Sequence, residues 1–155
     1  ENDVCSAMWS DWWGFKQEAY DMVPSNVALV DKAGACAVVH SDSATVIQHL
    51  NKEAAKAMTS GNRLGMDITP AHAIKWITIN AAKAIGVEER TGSLEEGKMA
   101  DIVLWDGNPF SVYTKAEKVY VDGALMYDRN QYNYQPVSDF ELGILEPNNN
   151  RAEGE

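Results

Sequence analysis

The sequence has few of the residues that define a disulfide scaffold, a nucleic-acid surface or a membrane span. Only two of its 155 residues are cysteines, Cys5 and Cys36. They lie far apart, with Cys36 inside an apolar run, so we expect neither a disulfide framework nor a zinc ribbon. Thirteen basic residues stand against 23 acidic ones, a net charge of −10, which argues against nucleic-acid or anionic-membrane partners. No run approaches the ~20 apolar residues that span a bilayer.

The most informative stretch is 35–43, where an apolar run turns abruptly polar. Its first half, 35–39, is apolar and uncharged and ends in the β-branched Val38 and Val39, which is typical of a strand buried on both faces of a parallel sheet. Reactive groups in parallel α/β folds gather where the strands end, and Asp42 lies at such a point. The residues alone leave two interpretations open: a catalytic or metal-binding carboxylate, or a simple N-cap provided by Asp42 or Ser43.

In the segments before and after this strand, apolar residues recur at helical spacing. Helices that flank a buried strand predict an α/β fold. The predicted helices cover 26–33, 45–58, a segment that begins at Pro70 behind the N-cap Thr69, and 80–85, with stops at Gly34, Gly61 and Gly86. His49 and His72 lie in predicted helices, away from the end of the strand. We interpret both as surface or structural histidines.

From Gly86 onward the sequence predicts a small all-β unit. A strand is expected over 98–105, and a hairpin over 118–127 turns at Asp122 and Gly123, because Asp-Gly between apolar runs favours a two-residue primed turn. About three strands are too few to be stable alone, so this unit must pack on another part of the protein.

The first 24 residues are irregular and rich in aromatic side chains. One interpretation is a loop that packs over the core. The other is a loop that lines a substrate pocket, with Trp12 and Trp13 as walls and Lys16 as a polar contact.

Three segments, taken together, resemble the amidohydrolase superfamily of metal-dependent hydrolases. Segment 92–105 resembles its G-x-L-x-x-G-K-x-A-D-h-V segment, and 78–86 resembles its T-x-N-P-A-x-x-h-G helix, with Ala81 where proline is usual. Segment 40–43 is similar to the end of the eighth barrel strand. The resemblance covers about residues 20–130. The residues of the Trp-Trp-Gly-Phe segment, 12–15, and of the helix segment 48–53 suggest the imidazolonepropionase-like group.

The resemblance implies an architecture for each part of the chain. Residues 1–86 would be the C-terminal part of a (β/α)8 barrel, contributing its last strand and helices. Residues 87–140 would be a small segment of a β-sandwich, and 141–155 a polar tail.

The resemblance also implies a chemistry, the hydrolysis of C–N bonds other than peptide bonds by metal-activated water. The cofactor would be one or two divalent ions, commonly zinc, and the substrate a small amide, cyclic amide or dipeptide. Asp42 would serve as metal ligand and as general acid–base. His40 would orient Asp42 or the substrate, or simply pack, while Ser41 and Ser43 would bond the carboxylate or cap the next helix.

The sequence departs from this family by lacking most of its ligands. It has three histidines and no His-x-His pair, whereas zinc takes about four ligands. We therefore expect a C-terminal fragment that is inactive alone and does not itself hold the metal, completed by a missing N-terminal portion or by self-association. The alternatives are a non-catalytic binding or assembly module and one half of a split enzyme. The localisation is left undetermined.

Overall fold

Residues 4–134 form one parallel and one antiparallel sheet. The computed structural model describes residues 4–134. The parallel sheet pairs β1 (Cys5–Met8) with β2 (Cys36–Val39), and the antiparallel sheet has the order β3 (Ile102–Trp105), β4 (Ala116–Val121), β5 (Ala124–Asp128). The helices are α1 (Asn26–Lys32), α2 (Leu50–Arg63), α3 (Pro70–Ala73) and α4 (Ile79–Ala84), with 3-10 turns at Gln17–Ala19, Val46–His49, Ile74–Ile77 and Tyr132–Tyr134. The expected α/β class is confirmed.

Strand β2 lies at the centre of the core, as its apolar sequence predicts. Ala37 and Val39 are buried, and they belong to one cluster with Val27 and Ala28 of α1 and with the fully buried Trp76. A strand that is covered on both faces needs apolar side chains at successive positions. The uncharged run 35–39 is therefore the signature of the strand found here.

The expectation that Cys5 and Cys36 form no disulfide framework is wrong, because the two cysteines are joined by a disulfide. They are the first residues of β1 and β2 and are direct partners in the register of the parallel pair, with their Cα atoms 4.4 Å apart. A separation of 31 positions in the chain is no obstacle when a helical crossover returns the chain beside its starting strand.

Residues 1–24 are not entirely irregular, since Cys5–Met8 forms β1. This strand is short and its middle residues, Ser6 and Ala7, are exposed. Such a segment lacks the apolar run or regular alternation by which a strand is recognised in sequence. Its pairing with β2 is a long-range contact that only the fold reveals.

The second helix differs from its predicted bounds. A 3-10 turn, Val46–His49, precedes α2, and the helix continues to Arg63. Gly61 therefore lies inside α2 and is buried, and the left-handed glycine that follows the helix is Gly65, with φ +80°. A Cβ on Gly61 would lie 2.6 Å from the Cβ of Ala28. Gly61 is thus a site of close helix packing, not a stop.

Two predictions that rest on neighbouring residues, a helix cap and a hairpin turn, are confirmed. The Thr69 hydroxyl accepts a hydrogen bond from the His72 backbone N–H at 3.2 Å, capping α3 directly before Pro70. The β4–β5 hairpin turns at Asp122 and Gly123, whose φ angles of +48° and +81° are those of a primed turn.

The antiparallel sheet keeps part of its apolar surface exposed. Leu104, Val121 and Met126 are each at least 46% exposed, while Phe110, in the loop between β3 and β4, packs against the core cluster of the first sheet. The tail predicted for 141–155 and the last residues of the predicted unit 87–140 lie outside the described residues. Within residues 4–134, no helix has the length and apolarity that crossing a membrane requires.

Candidate functional site

The carboxyl ends of β1 and β2 meet at one edge of the parallel sheet. Trp9 and Ser10 follow β1, and His40 and Asp42 follow β2. The ladder extends one step past the strands, because the His40 N–H donates to the Met8 carbonyl at 3.1 Å. Parallel pairing therefore brings two separate polar and aromatic stretches of the sequence to the position where such folds carry their reactive groups.

An aromatic stack joins the two strand ends. The indole of Trp9 stacks on Trp12 with 5.6 Å between the ring centroids and on His40 with 5.5 Å, at interplanar angles of 26° and 25°. Phe15 meets Trp9 and Trp12 edge-on at 5.6 and 5.1 Å. These separations are those of favourable ring contacts, so His40 is held on one face by the segment that follows β1.

Of the other residues proposed for the pocket, Lys16 joins this group and Trp13 does not. The Lys16 ammonium lies 5.0 Å from the centroid of Phe15 and 3.0 Å from a carboxylate oxygen of Glu18. Trp13 is 58% exposed and makes no ring contact with the stack in the part of the chain that the structure describes.

Asp42 adopts a backbone conformation that is unusual for a residue with a side chain. Its φ is +49°, and within residues 4–134 the only other non-glycine residue with positive φ is Asp122, in the hairpin turn. Asp42 is exposed. The buried Ser41 supports this turn, since its hydroxyl donates to the Ser43 carbonyl at 3.2 Å and accepts the Ser43 N–H at 3.3 Å.

The capping role belongs to Ser43. Its hydroxyl accepts the Val46 N–H at 3.3 Å and lies 3.1 Å from the Thr45 hydroxyl. The first 3-10 turn after β2 is thus capped without Asp42. This leaves the exposed Asp42 carboxylate available for another role at the strand end.

A buried polar network fixes the segment that follows β1, and the sequence did not reveal it. The Ser10 hydroxyl, 1% exposed, donates to Glu53 of α2, which is 5% exposed. Lys56 bonds both Glu53 and Asp11 at 2.7 Å. Burial lowers the pKa of Lys56, but the hydrogen bonds to Asp11 and Glu53 outweigh it and raise that pKa above its usual value.

Trp9, Ser10 and Glu53 were missed as site residues for a common reason. Trp9 and Ser10 gain their significance from β1, which has no clear sequence signal. Glu53 gains its role from the hydrogen bond that Ser10 donates to it, and no pattern in the sequence separates it from the solvated glutamates of a helix.

The two remaining histidines lie away from this edge. The His72 Nε2 is 2.8 Å from an Asp31 carboxylate oxygen, and the other oxygen of Asp31 accepts the Trp76 indole N–H at 3.0 Å. His49 is exposed in the 3-10 turn before α2. Among residues 4–134, no three or more histidine, cysteine, aspartate or glutamate side chains are grouped so that they could hold a metal ion.

Comparison with known proteins identifies the family. The profile of the amidohydrolase family matches residues 24–136, and this chain belongs to that family. It is 32% identical over 124 residues to the amidohydrolase tasK of Hapsidospora irregularis, a match that covers 79% of this chain and 12% of the relative. It is 46% identical over 56 residues to an imidazolonepropionase of Shewanella baltica, covering 36% of this chain and 12% of that protein.

Solved structures support the same fold. An amidohydrolase from Thermotoga maritima superposes with a TM-score of 0.64 at 33% identity, over 74% of this chain and 28% of the neighbour. A zinc-bound adenosine deaminase from Xanthomonas campestris superposes with a TM-score of 0.53 at 17% identity, over 64% of this chain and 27% of the neighbour. The chain therefore spans under a third of the length of each of these proteins.

Proposed function

We propose that this chain is the C-terminal part of a metal-dependent amidohydrolase that cleaves C–N bonds in a small amide, cyclic amide or dipeptide. Membership of the amidohydrolase family supports a hydrolase of this kind. The names of the relatives, an amidohydrolase and an imidazolonepropionase, support a substrate with a C–N bond. The chain would supply the last barrel strand and its helices, followed by a segment of the β-sandwich.

The observation that carries the proposal is the backbone of Asp42. Left-handed backbone at a residue with a side chain costs free energy and recurs at functional sites, and aspartate also adopts it in turns. The other such residue, Asp122, is explained by its primed hairpin turn. Asp42 lies in the turn that Ser41 and Ser43 stabilise, three residues after a buried parallel strand, at the edge where barrels place their catalytic groups.

The ligands that this chain offers do not by themselves fit a metal ion. Asp42 is one carboxylate, whereas zinc takes about four ligands, and residues 4–134 contain no ready-made group of donors. The zinc in the adenosine deaminase neighbour makes zinc the first candidate for the complete enzyme. The other ligands would then come from polypeptide outside this chain.

The proposed roles follow from position. Asp42 is assigned as a metal ligand of the complete enzyme and as the group that accepts a proton from water and passes it to the leaving nitrogen. His40, held against Trp9, would orient the substrate or Asp42. Trp12, Trp13 and Lys16 would line the entrance to the substrate pocket. Trp12 is part of the aromatic stack, and Lys16 lies against Phe15 of the same stack.

A non-catalytic assembly module, or one half of a split enzyme, is the second candidate. Leu104 and Met126 leave apolar surface exposed on the antiparallel sheet, and among residues 4–134 the parallel sheet has two strands. Both features call for further polypeptide, either another copy of this chain or the rest of a barrel. Sedimentation over a range of concentrations separates them, because self-association makes the mass depend on concentration.

Reconstitution in the Thermotoga maritima relative tests the proposal. The part of that protein that matches this chain is replaced by residues 4–134, and bound metal is measured in the chimera, in the intact relative and in the relative without the matching part. We expect metal in the first two and loss in the third. A chimera that folds, shown by circular dichroism, but holds no metal while the intact relative does contradicts the proposal.

A further inference from the structure

We propose that the Cys5–Cys36 disulfide is a redox-sensitive clamp that holds β1, and with it the aromatic stack, against β2. The two half-buried cysteines pair at the amino end of the parallel ladder. At the other end of the same ladder, Trp9 lies against His40. A covalent bond and a ring contact therefore fasten opposite ends of a four-residue strand. The inference needs no bound metal and does not depend on the proposed function.

The amino end of β1 has little else to hold it. Val4 is 70% exposed, and Ser6 and Ala7 are exposed as well. A two-stranded sheet is marginally stable in water unless it packs against a helix. In the described residues β1 pairs only with β2, and β2 makes most of the contacts of this pair with α1 and α4. Most of the burial in this pair belongs to β2, so cleavage of the disulfide removes the covalent constraint from a strand with little burial of its own.

The carboxyl end of β1 is held by polar contacts. The Trp9 carbonyl accepts a hydrogen bond from the Asn26 side chain at 3.0 Å, and Ser10 bonds Glu53. Cleavage of the disulfide is therefore expected to open the strand from Val4 towards Met8 as a local event, leaving α2 and the core folded. The contact of Trp9 with His40 weakens because the strand that presents Trp9 loses its fixed register.

The structure also provides an acceptor for the reduced form. The Sγ atoms of Cys5 and Cys36 lie 3.8 and 3.9 Å from the backbone oxygen of Asn80. In the disulfide neither sulfur carries a hydrogen, so these contacts are not hydrogen bonds. After reduction each S–H group can donate a hydrogen bond to that oxygen. The Asn80 side chain is not needed for this contact, since it donates to the Ala37 carbonyl at 2.8 Å.

The chemical step is an exchange with a dithiol reductant. A thiolate of the reductant attacks one of the two sulfurs, the Sγ–Sγ bond breaks, and a mixed disulfide forms while the other cysteine leaves as a thiolate. The second thiol of the reductant then displaces the first cysteine. The reductant becomes a disulfide, and Cys5 and Cys36 take up two protons and two electrons in total.

Amide hydrogen exchange on the intact chain, followed by mass spectrometry, tests the clamp. The chain is compared oxidised and in the presence of dithiothreitol. We expect exchange in peptides covering 4–12 to accelerate at least about tenfold on reduction, while exchange in α2 stays within about twofold. The double variant C5S/C36S should show the fast exchange with and without the reductant. If this variant fails to fold, the wild-type comparison still decides.

Three results would overturn the inference. Labelling of both cysteines by iodoacetamide without a reductant would show that the disulfide is absent from the protein. Unchanged exchange over 4–12 after complete reduction would show that the non-covalent contacts suffice. A uniform increase in exchange rate across the whole chain would show that the disulfide stabilises the entire fold and not β1 alone.

Discussion

The indole of Trp9 stacks on the imidazole of His40 with 5.5 Å between the ring centroids, linking the first residue after β1 to the first residue after β2. Replacing Trp9 with alanine removes this contact together with those to Trp12 and Phe15. We expect a loss of about 2–4 kcal/mol in the free energy of unfolding, measured in urea.

Two further variants make this test specific. Trp9→Phe keeps a ring at the centre of the stack and should recover part of the lost stability. Trp13→Ala removes an equally large but exposed side chain and should change stability by about 0.5 kcal/mol or less. Equal losses for Trp9→Ala and Trp13→Ala would show that the stack does not fix the strand ends.

Close packing at Gly61 predicts that a single added methyl group destabilises the fold. The new Cβ would meet Ala28 at 2.6 Å and Ile68 at 2.7 Å. We expect Gly61→Ala to cost about 1–3 kcal/mol in urea unfolding, even though alanine favours a helix by about 1 kcal/mol over glycine.

Gly65 provides the matched control for that variant. A Cβ there meets nothing within 4 Å, but its φ is +80°, so Gly65→Ala should lose only about 1 kcal/mol through backbone strain. A stabilising Gly61→Ala would mean that α1 and α2 do not approach as closely as described.

Asp31 satisfies the indole N–H of Trp76, which is fully buried. Asp31→Ala leaves that donor without its acceptor, and we expect a loss of about 1–3 kcal/mol in thermal or urea unfolding. Asp31→Asn keeps a carbonyl acceptor and should lose clearly less. His72→Ala removes only the half-exposed partner of Asp31 and should cost about 1 kcal/mol or less. A larger loss for His72→Ala than for Asp31→Ala would contradict this order.

The Asp128 carboxylate couples the stability of the hairpin to pH. The hydrogen bond from Lys118, and next that from the Asn130 N–H, hold the pKa of Asp128 below its usual value. Such a group stabilises the fold above the pKa of the unfolded chain, about 3.9, and this contribution disappears as the pH falls through the lower pKa of the folded state. The stability of the wild-type chain in urea should therefore fall over the acid range.

Asp128→Asn checks that prediction. The variant should be less stable near neutral pH and should show a shallower decline with acid, because one carboxylate with a lowered pKa has been removed. Asp101 and Asp106 keep their own lowered pKa values and preserve the rest of the decline. An identical pH profile for both proteins would show that the Lys118 contact does not form in solution.

An interaction can be predicted from the sequence when the residues that make it are close together in the chain. The cap at Thr69 and the turn at Asp122 and Gly123 are set by neighbouring residues, so their signals lie within a few positions. The disulfide of Cys5 with Cys36 depends on two strands meeting across a helix. No sequence pattern near either cysteine predicts that the two will pair.

The candidate site divides in the same way. The position of His40 and Asp42 at a strand end could be predicted because they follow an apolar run typical of a buried strand. Trp9 follows a strand whose middle residues are exposed, and Glu53 acquires its role only through Ser10. A glutamate on a helix is normally solvated, so its burial could not be predicted without knowing what packs beside α2.

Asp42 and Asp122 form a natural pair for testing the central claim. Both are exposed aspartates with left-handed backbone, at φ +49° and +48°. Replacing either with alanine therefore imposes a similar strain, about 1 kcal/mol, while of the two only Asp42 lies at the carboxyl end of a parallel strand. A difference between the two variants in metal binding then reports the carboxylate and not the backbone.

The decisive measurement is the zinc affinity of the chimera with the Thermotoga maritima relative, carrying Asp42→Ala or Asp122→Ala. We expect Asp42→Ala to weaken zinc binding at least about 100-fold, because a direct ligand is lost. Asp122→Ala should leave the affinity within about twofold, since its side chain lies in the hairpin turn. Equal zinc affinities for the two folded variants would contradict the assignment of Asp42 as a metal ligand.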